Sequence, residues 1–242
     1  QGFGGTLVRH IPLGLLYASI ELVKHDFDVK LFDTRTISGD WKPALIKLLS
    51  DDTLCVGISV MSGSPIMHAL EIGKLIKHIS PNVPVVWGGP HATFCPDQIL
   101  NDDPNCDYVT SGYASKTFHQ LCEAIQISQS PENIPGISWR EGDKIRSTFV
   151  GDQTFEHVDY REIPYHLISD YSVYGQLAQD RRIFSMYSAL GCPYKCSFCS
   201  SPAQYSTIKG KKWVPLDHVE VVNHVEYLVN KYGANYIYFI DD

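Results

Sequence analysis

No run of apolar residues in this sequence approaches the roughly 18 needed to cross a bilayer, and no basic segment followed by a short apolar stretch reads as a signal peptide. Both absences exclude the simplest routes into or through a membrane, so no membrane span is expected. Positive charge is also scarce. Lys and Arg number 20 against 27 Asp and Glu, for a formal charge of −7. The broad basic face that phosphate recognition needs is missing, and nothing argues for nucleic acid as a partner. A disulfide framework is lacking too: seven cysteines, an odd number scattered over 242 residues, fit a reducing cytoplasm better than an extracellular scaffold. There is no internal repeat and no low-complexity tract. The first residue is Gln rather than Met, and the end is equally abrupt, so a piece of a longer protein is expected.

What is present suffices for a large core, since 44% of residues are hydrophobic and only 19% charged. Four β-branched or aromatic runs, Phe27 to Phe32, Leu54 to Val60, Val83 to Trp87 and Asp107 to Thr110, predict strands. Helical patterns lie between or beside them: Leu13 to Val23, Ala44 to Leu49, Ile66 to Ile79 with Ser64 as N-cap and Pro65 at the first helical position, a short turn near Ile99, and Ser115 to Ile127. Strands alternating with amphipathic helices predict an α/β fold, a doubly wound parallel sheet that receives ligands at the carboxyl ends of its strands. Such a domain usually opens on a strand, whereas this chain runs directly into a helix, so a central first strand is expected to lie outside it.

Prolines 131, 135 and 164 break the pattern that follows, and Gly136 to Arg140 with Lys144 to Val150 flank Glu141-Gly-Asp as a hairpin. Beyond this connector, Arg182 to Leu190 predicts a strand, Asp217 caps a helix through Tyr232 that Gly233 stops, and Tyr236 to Ile240 predicts another strand. The expected division is therefore residues 1–125, a connector over 126–181, and 182–242.

Between those last strands, Gly191-Cys-Pro-Tyr-Lys-Cys-Ser-Phe-Cys199 sets Cys192, Cys196 and Cys199 at spacing C-x3-C-x2-C. Thiolates are the usual ligands of iron–sulfur clusters, and three of them on a four-iron cubane leave one iron open for chemistry. A structural zinc knuckle is the alternative. It needs a fourth ligand, and the nearest following histidine, His218, falls at a predicted helix start. Cys55, Cys95, Cys106 and Cys122 show no ligand spacing.

The cysteine spacing, with an aromatic residue before the last thiol, resembles the signature of the radical S-adenosylmethionine (SAM) superfamily. The resemblance implies a 4Fe-4S cluster whose open iron binds SAM, reductive cleavage of SAM to a 5′-deoxyadenosyl radical, and a partial (β/α) barrel beginning at residue 182. It places Phe198 beside the adenine. It makes Asp241 and Asp242, at the end of the second barrel strand, candidates for the methionyl amine, the other reading being a solvated strand end. It also implies a small-molecule substrate and an electron donor such as flavodoxin or ferredoxin.

The first half is similar to the cobalamin-binding domain that precedes the radical barrel in one large subfamily. The similar stretches are Pro12-Leu-Gly-Leu-Leu-Tyr-Ala-Ser19, Val56-Gly-Ile-Ser-Val-Met-Ser-Gly63, Val86-Trp-Gly-Gly-Pro-His-Ala-Thr93, and Ser111-Gly112 with Thr117-Phe118. Cobalamin would then meet Met61, Ser62, Gly63, Gly88, Gly89, His91, Thr93 and Gly112. The glycines alone equally suit turning loops, a flavin or a nucleotide; the order of the domains favours cobalamin. Two departures stand out. D-x-H-x-x-G, the source of an axial histidine in many corrinoid proteins, is absent, leaving the loop from Met61 to Ser64 for the lower face. Gly112-Tyr-Ala-Ser115 replaces the common Gly-Glu-Gly-Glu. For the whole, the resemblance implies methyl transfer to an unactivated carbon, with a cobalamin-free first domain or a non-catalytic corrinoid or zinc module as alternatives.

Overall fold

The computed structural model describes residues 9–151, 153–155, 157–174, 181–206 and 208–241. Its first element is α1 (Leu13–Lys24), followed by α2 (Lys42–Leu48), β1 (Val56–Ser59), α3 (Pro65–Ile79) and β2 (Val85–Gly88). Two short helices come next, α4 (Pro90–Phe94) and α5 (Pro96–Asp102), then β3 (Tyr108–Thr110) and α6 (Ala114–Gln126). Strands β1, β2 and β3 are parallel neighbours, in the register Val56 to Val85 and Val86 to Tyr108. Side chains alternate across β2. Val85 and Trp87 join the cluster containing Ala69 and Ile76 of α3, while Val86 packs with Leu121 and Ala124 of α6. Helices thus cover both faces, which is the doubly wound arrangement.

Several expectations change. The stretch Phe27 to Phe32 forms no strand, because a strand exists by its ladder and none of the described strands runs beside it; β1 pairs only with β2 among the described residues. Its apolar side chains pack on distant elements instead, the Phe27 ring 5.7 Å from that of His119 in α6 and Leu31 against the cluster around Phe184 and Leu228. Around Ile99 there is no single turn but α4 and α5, each with a proline in its first turn. That is where the missing N–H costs nothing, and elements of five and seven residues are too short for a periodic pattern to show. Ser64 precedes α3 as expected but has αR dihedrals and makes no side-chain cap bond.

The hairpin forms as β4 (Ile137–Glu141) and β5 (Lys144–Ser147), and it extends the first sheet. β4 pairs antiparallel with β3, giving the order β1-β2-β3-β4-β5, so the sheet is mixed. The predicted strand 182–190 is two strands, β6 (Ile183–Met186) and β7 (Ala189–Gly191), separated by a turn. After α7 (Ser201–Gln204) comes β8 (Trp213–Pro215), which sequence pattern did not indicate and which pairs antiparallel with β7. Then follow α8 (His218–Tyr232) and β9 (Tyr236–Phe239), the latter parallel to β6.

α8 is bounded as its sequence dictates. The Asp217 carboxylate accepts from the N–H groups of Val219 and Glu220, and Gly233 takes the left-handed conformation at φ 67°. Leu228 of α8 is fully buried with Phe184 and Met186 of β6, a burial worth about 2 kcal/mol for such a side chain. Ile11, Leu13, Leu16 and Ile20 from the start of the chain belong to this same cluster. α1 therefore packs on both α6 and the second unit.

Candidate cofactor-binding edge and cysteine loop

The carboxyl ends of β1, β2 and β3 open on three loops that the backbone ties together. Val60 N–H donates to Gly88 O at 2.8 Å, and His91 N–H donates to Val60 O at 3.0 Å. A Cβ on Gly89, whose φ is 93°, would lie 3.1 Å from both Val60 N and Val60 O, and one on Gly88 would lie 2.8 Å from Thr110 Oγ1. Gly89 is what lets the second loop lie against the first, and Gly88 lets the end of β2 lie against Thr110 of β3. Ser62 Oγ lies 3.1 Å from His91 Nδ1, so the pocket histidine is oriented by the first loop. Thr93 Oγ1 donates to Gly89 O and accepts from Gly112 N–H, both at 3.0 Å, which joins the second loop to the third.

All eight residues expected at a corrinoid thus share one sheet edge. Met61, Ser62 and Gly63 are exposed there, and a Cβ at Gly63 would meet nothing within 4 Å. A shelf of glycine backbone beside the exposed Met61 side chain, bordered by hydroxyls and one imidazole, suits a broad planar ligand at the ligand-receiving edge of an α/β sheet.

The cysteine loop leaves β7 at Gly191, which has φ 76°. A Cβ there would run into Lys212 O, just before β8, and the Phe155 ring, so the register of Gly191 opposite Trp213 requires glycine. Cys192 is half-buried; Cys196 and Cys199 are exposed. Cys199 N–H donates to Cys196 O at 3.1 Å, and Cys199 Sγ accepts from Ser201 N–H at 3.4 Å. Phe198 is 92% exposed. Among the described residues no group of three or more His, Cys, Asp or Glu is gathered about one metal position, so the three thiols of the loop do not converge. The donor set still fits an iron–sulfur cluster in chemistry, being three cysteine thiols on one loop. His218, the candidate fourth zinc ligand, is 91% exposed and lies beside Asp217 at 4.0 Å.

Asp241 turns its carboxylate onto the turn that precedes β7. One carboxylate oxygen accepts from Ser188 N–H at 2.7 Å and Ala189 N–H at 3.1 Å, and the other accepts from Ser188 Oγ. It holds the turn that splits β6 from β7. Asp242 lies outside the described residues.

The two candidate sites adjoin, through residues that no spacing in the sequence marks. Phe155 stacks edge-on between Tyr113 and Tyr205, at 5.7 and 5.6 Å. Gln153 reaches Gly112 with its side chain, and its carbonyl accepts from Lys209 N–H at 2.7 Å. α4, on the glycine-lined edge, packs against α7, which begins two residues after Cys199.

Comparison with known proteins agrees with this layout. Residues 6–122 match the B12 binding domain family. The chain is 31% identical over 233 residues to PH0819, an uncharacterized methyltransferase of Pyrococcus horikoshii, across 96% of this chain and 48% of that protein. Over 147 residues it is 31% identical to the cobalamin-dependent radical SAM methyltransferase TokK of Streptomyces tokunonensis, covering 58% of this chain and 21% of TokK. The chain belongs to the B12-binding radical SAM family. Its fold is that of family members of known structure. The radical SAM methyltransferase TsrM of Kitasatospora setae, solved with cobalamin and a 4Fe-4S cluster, superposes with a TM-score of 0.71 at 20% identity, over 96% of this chain and 45% of TsrM. The cobalamin-dependent radical enzyme OxsB, solved with aqua-cobalamin and SAM, gives 0.68 at 18% identity, over 97% and 32%. The chain spans about half the length of the first curated relatives it matches. No helix among its described residues is long and apolar enough to cross a membrane.

Proposed function

We propose that this chain is the cofactor-bearing part of a cytoplasmic enzyme that uses a 4Fe-4S cluster, SAM and cobalamin to transfer a methyl group to an unactivated carbon of a small molecule. The observation that carries the reading is the contact between the two candidate sites: Phe155 and Gln153 hold the glycine-lined edge against the root of the cysteine loop. When bound, these groups supply one-electron cleavage of SAM and a transferable methyl group. Cys192, Cys196 and Cys199 would hold the cluster, and Phe198 would flank the adenine. Gly88, Gly89 and Gly112 would let the corrin lie against backbone, with Met61, Ser62 and Gly63 below it. His91, held by Ser62, and Thr93 would border it. Asp241 would act through Ser188 by fixing the strand turn that delivers the loop, and Asp242 is the acidic residue left for the SAM amine. The electron would come from a soluble donor such as flavodoxin or ferredoxin.

Anaerobic reconstitution of the full-length protein with iron, sulfide and hydroxocobalamin tests this. About four irons and four sulfides per chain, with corrinoid absorbance retained after desalting, are expected. Cys196→Ala should lose the iron and keep the corrinoid. Zinc at one per chain without iron would overturn the cluster, and loss of all corrinoid on desalting would overturn the cobalamin.

A further inference from the structure

Away from both candidate sites, the fold brings together two thiols that lie 67 positions apart in sequence: Cys55 Sγ and Cys122 Sγ are 3.6 Å from one another. Cys55 immediately precedes β1 and is half-buried; Cys122 lies in α6 and is 2% exposed. Neither belongs to the cysteine loop, and no spacing rule links them. Cys106 shows what an isolated buried thiol does in this chain. Its S–H donates to Tyr108 O at 3.3 Å, and burial pushes the group up to about 12. The Cys55–Cys122 pair differs because each sulfur is the other's partner. The hydrogen bond across the pair lowers the Cys55 thiol below its ordinary value and raises that of Cys122, which burial raises further. Cys55, the less buried of the two, is the sulfur open to attack on an oxidant, and Cys122 lies behind it as the resolving thiol.

We propose that Cys55 and Cys122 form a reversible dithiol modification site, closed to an intramolecular disulfide by small disulfide oxidants of the glutathione type. The Cys55 thiolate attacks one sulfur of the oxidant, breaking its S–S bond and releasing one thiolate. Cys122 then yields its proton to solvent, and its sulfur attacks Cys55, expelling the second thiolate. Two protein thiols are oxidised, and one small disulfide is reduced to two thiols. A disulfide needs the sulfurs at about 2.05 Å, so closure draws the two sulfurs together by about 1.5 Å from their 3.6 Å separation. The bond would staple the entry of β1 to α6. β1 runs into Met61–Gly63, and α6 begins just after Gly112, so the staple joins elements that carry opposite flanks of the glycine-lined edge. In a reducing compartment the pair rests as thiols, and an oxidising shift closes it.

The full-length protein, prepared without oxygen, is treated with oxidised glutathione, alkylated with iodoacetamide, digested and analysed by mass spectrometry. The expected result is a peptide pair linked through Cys55 and Cys122, lost on adding dithiothreitol. In Cys122→Ser, Cys55 should instead accumulate as the mixed disulfide with glutathione; in Cys55→Ser, neither product should form at Cys122. The wild-type result stands by itself if either variant fails to fold. Recovery of both cysteines alkylated, of Cys55 only as a mixed disulfide in the wild type, or of either linked to a different cysteine would overturn the proposal.

Discussion

The backbone N–H of Tyr113 donates to Gln153 Oε1 at 3.4 Å. Tyr113 stands in the loop after β3, and the main chain of Gln153 forms a parallel bridge with Ile208, beyond the cysteine loop. One residue thus bonds forward and backward between two regions far apart in the sequence, Tyr113 and Ile208. The separation of the two sites is set by directional bonds to a short segment, with the Phe155 ring filling the space beside it. Directional contacts of this kind fix distance better than an apolar face, which tolerates sliding.

Gly112 has φ 78°, and a Cβ there would lie 2.6 Å from Gln153 Oε1. Since that atom ends a flexible side chain, Gln153 can move aside, and the main cost of Gly112→Ala is the left-handed backbone, about 1–2 kcal/mol. Urea unfolding should show this loss for Gly112→Ala in the wild type and nearly the same further loss in a Gln153→Ala background, where the clash is gone and the strain remains.

Much of this layout is legible in the sequence because it rests on local chemistry. Asp217 and Gly233 bound α8 through their own side chain and dihedral, and C-x3-C-x2-C needs no tertiary knowledge. Spacing likewise placed Gly63, Gly88, Gly89 and Gly112 after strands, and the sheet brings all four to one edge. What escaped depends on distant partners. Phe27 to Phe32 has strand composition but no ladder, and β8 exists because Gly191 admits Lys212 O at close range. The role of Asp241 as the clasp of Ser188 and Ala189 spans more than fifty residues. Gln153 and the Cys55–Cys122 contact carry no sequence signal at all.

His224 is buried, and its Nε2 is 2.9 Å from the Tyr165 hydroxyl. Burial pushes its pKa down from 6.5 to about 4. Between those values the unfolded chain takes up a proton that the folded chain refuses, so stability falls as pH drops from about 6.5 and levels off, for this group, below about 4. The full loss is about 3 kcal/mol. Denaturant unfolding at a series of pH values should give a shallower slope in this window for His224→Gln than for the wild type. Equal slopes would show that His224 does not couple folding to protons.

Asp217 accepts from two of the orphan N–H groups at the start of α8. Asp217→Ala should cost about 1 kcal/mol, and Asp217→Asn, which keeps the acceptor, should recover most of it. Thermal unfolding of the three proteins distinguishes loss of the cap from loss of charge, since only the charge is absent in the asparagine variant.

Gly191 and Gly210 separate steric exclusion from backbone strain. Their φ values, 76° and 78°, are nearly the same, yet a Cβ at Gly210 would meet nothing within 4 Å while one at Gly191 would strike Lys212 O and the Phe155 ring. Both alanine variants carry a left-handed dihedral cost of about 1–2 kcal/mol. Only Gly191→Ala must also open the pairing of β7 with β8, one residue before Cys192. After anaerobic reconstitution, Gly191→Ala should retain far less iron than Gly210→Ala, with corrinoid binding similar in the two. Equal iron loss would mean that general strain in this unit disables the loop, and the close approach of Lys212 to Gly191 would lose its role in presenting the cysteines.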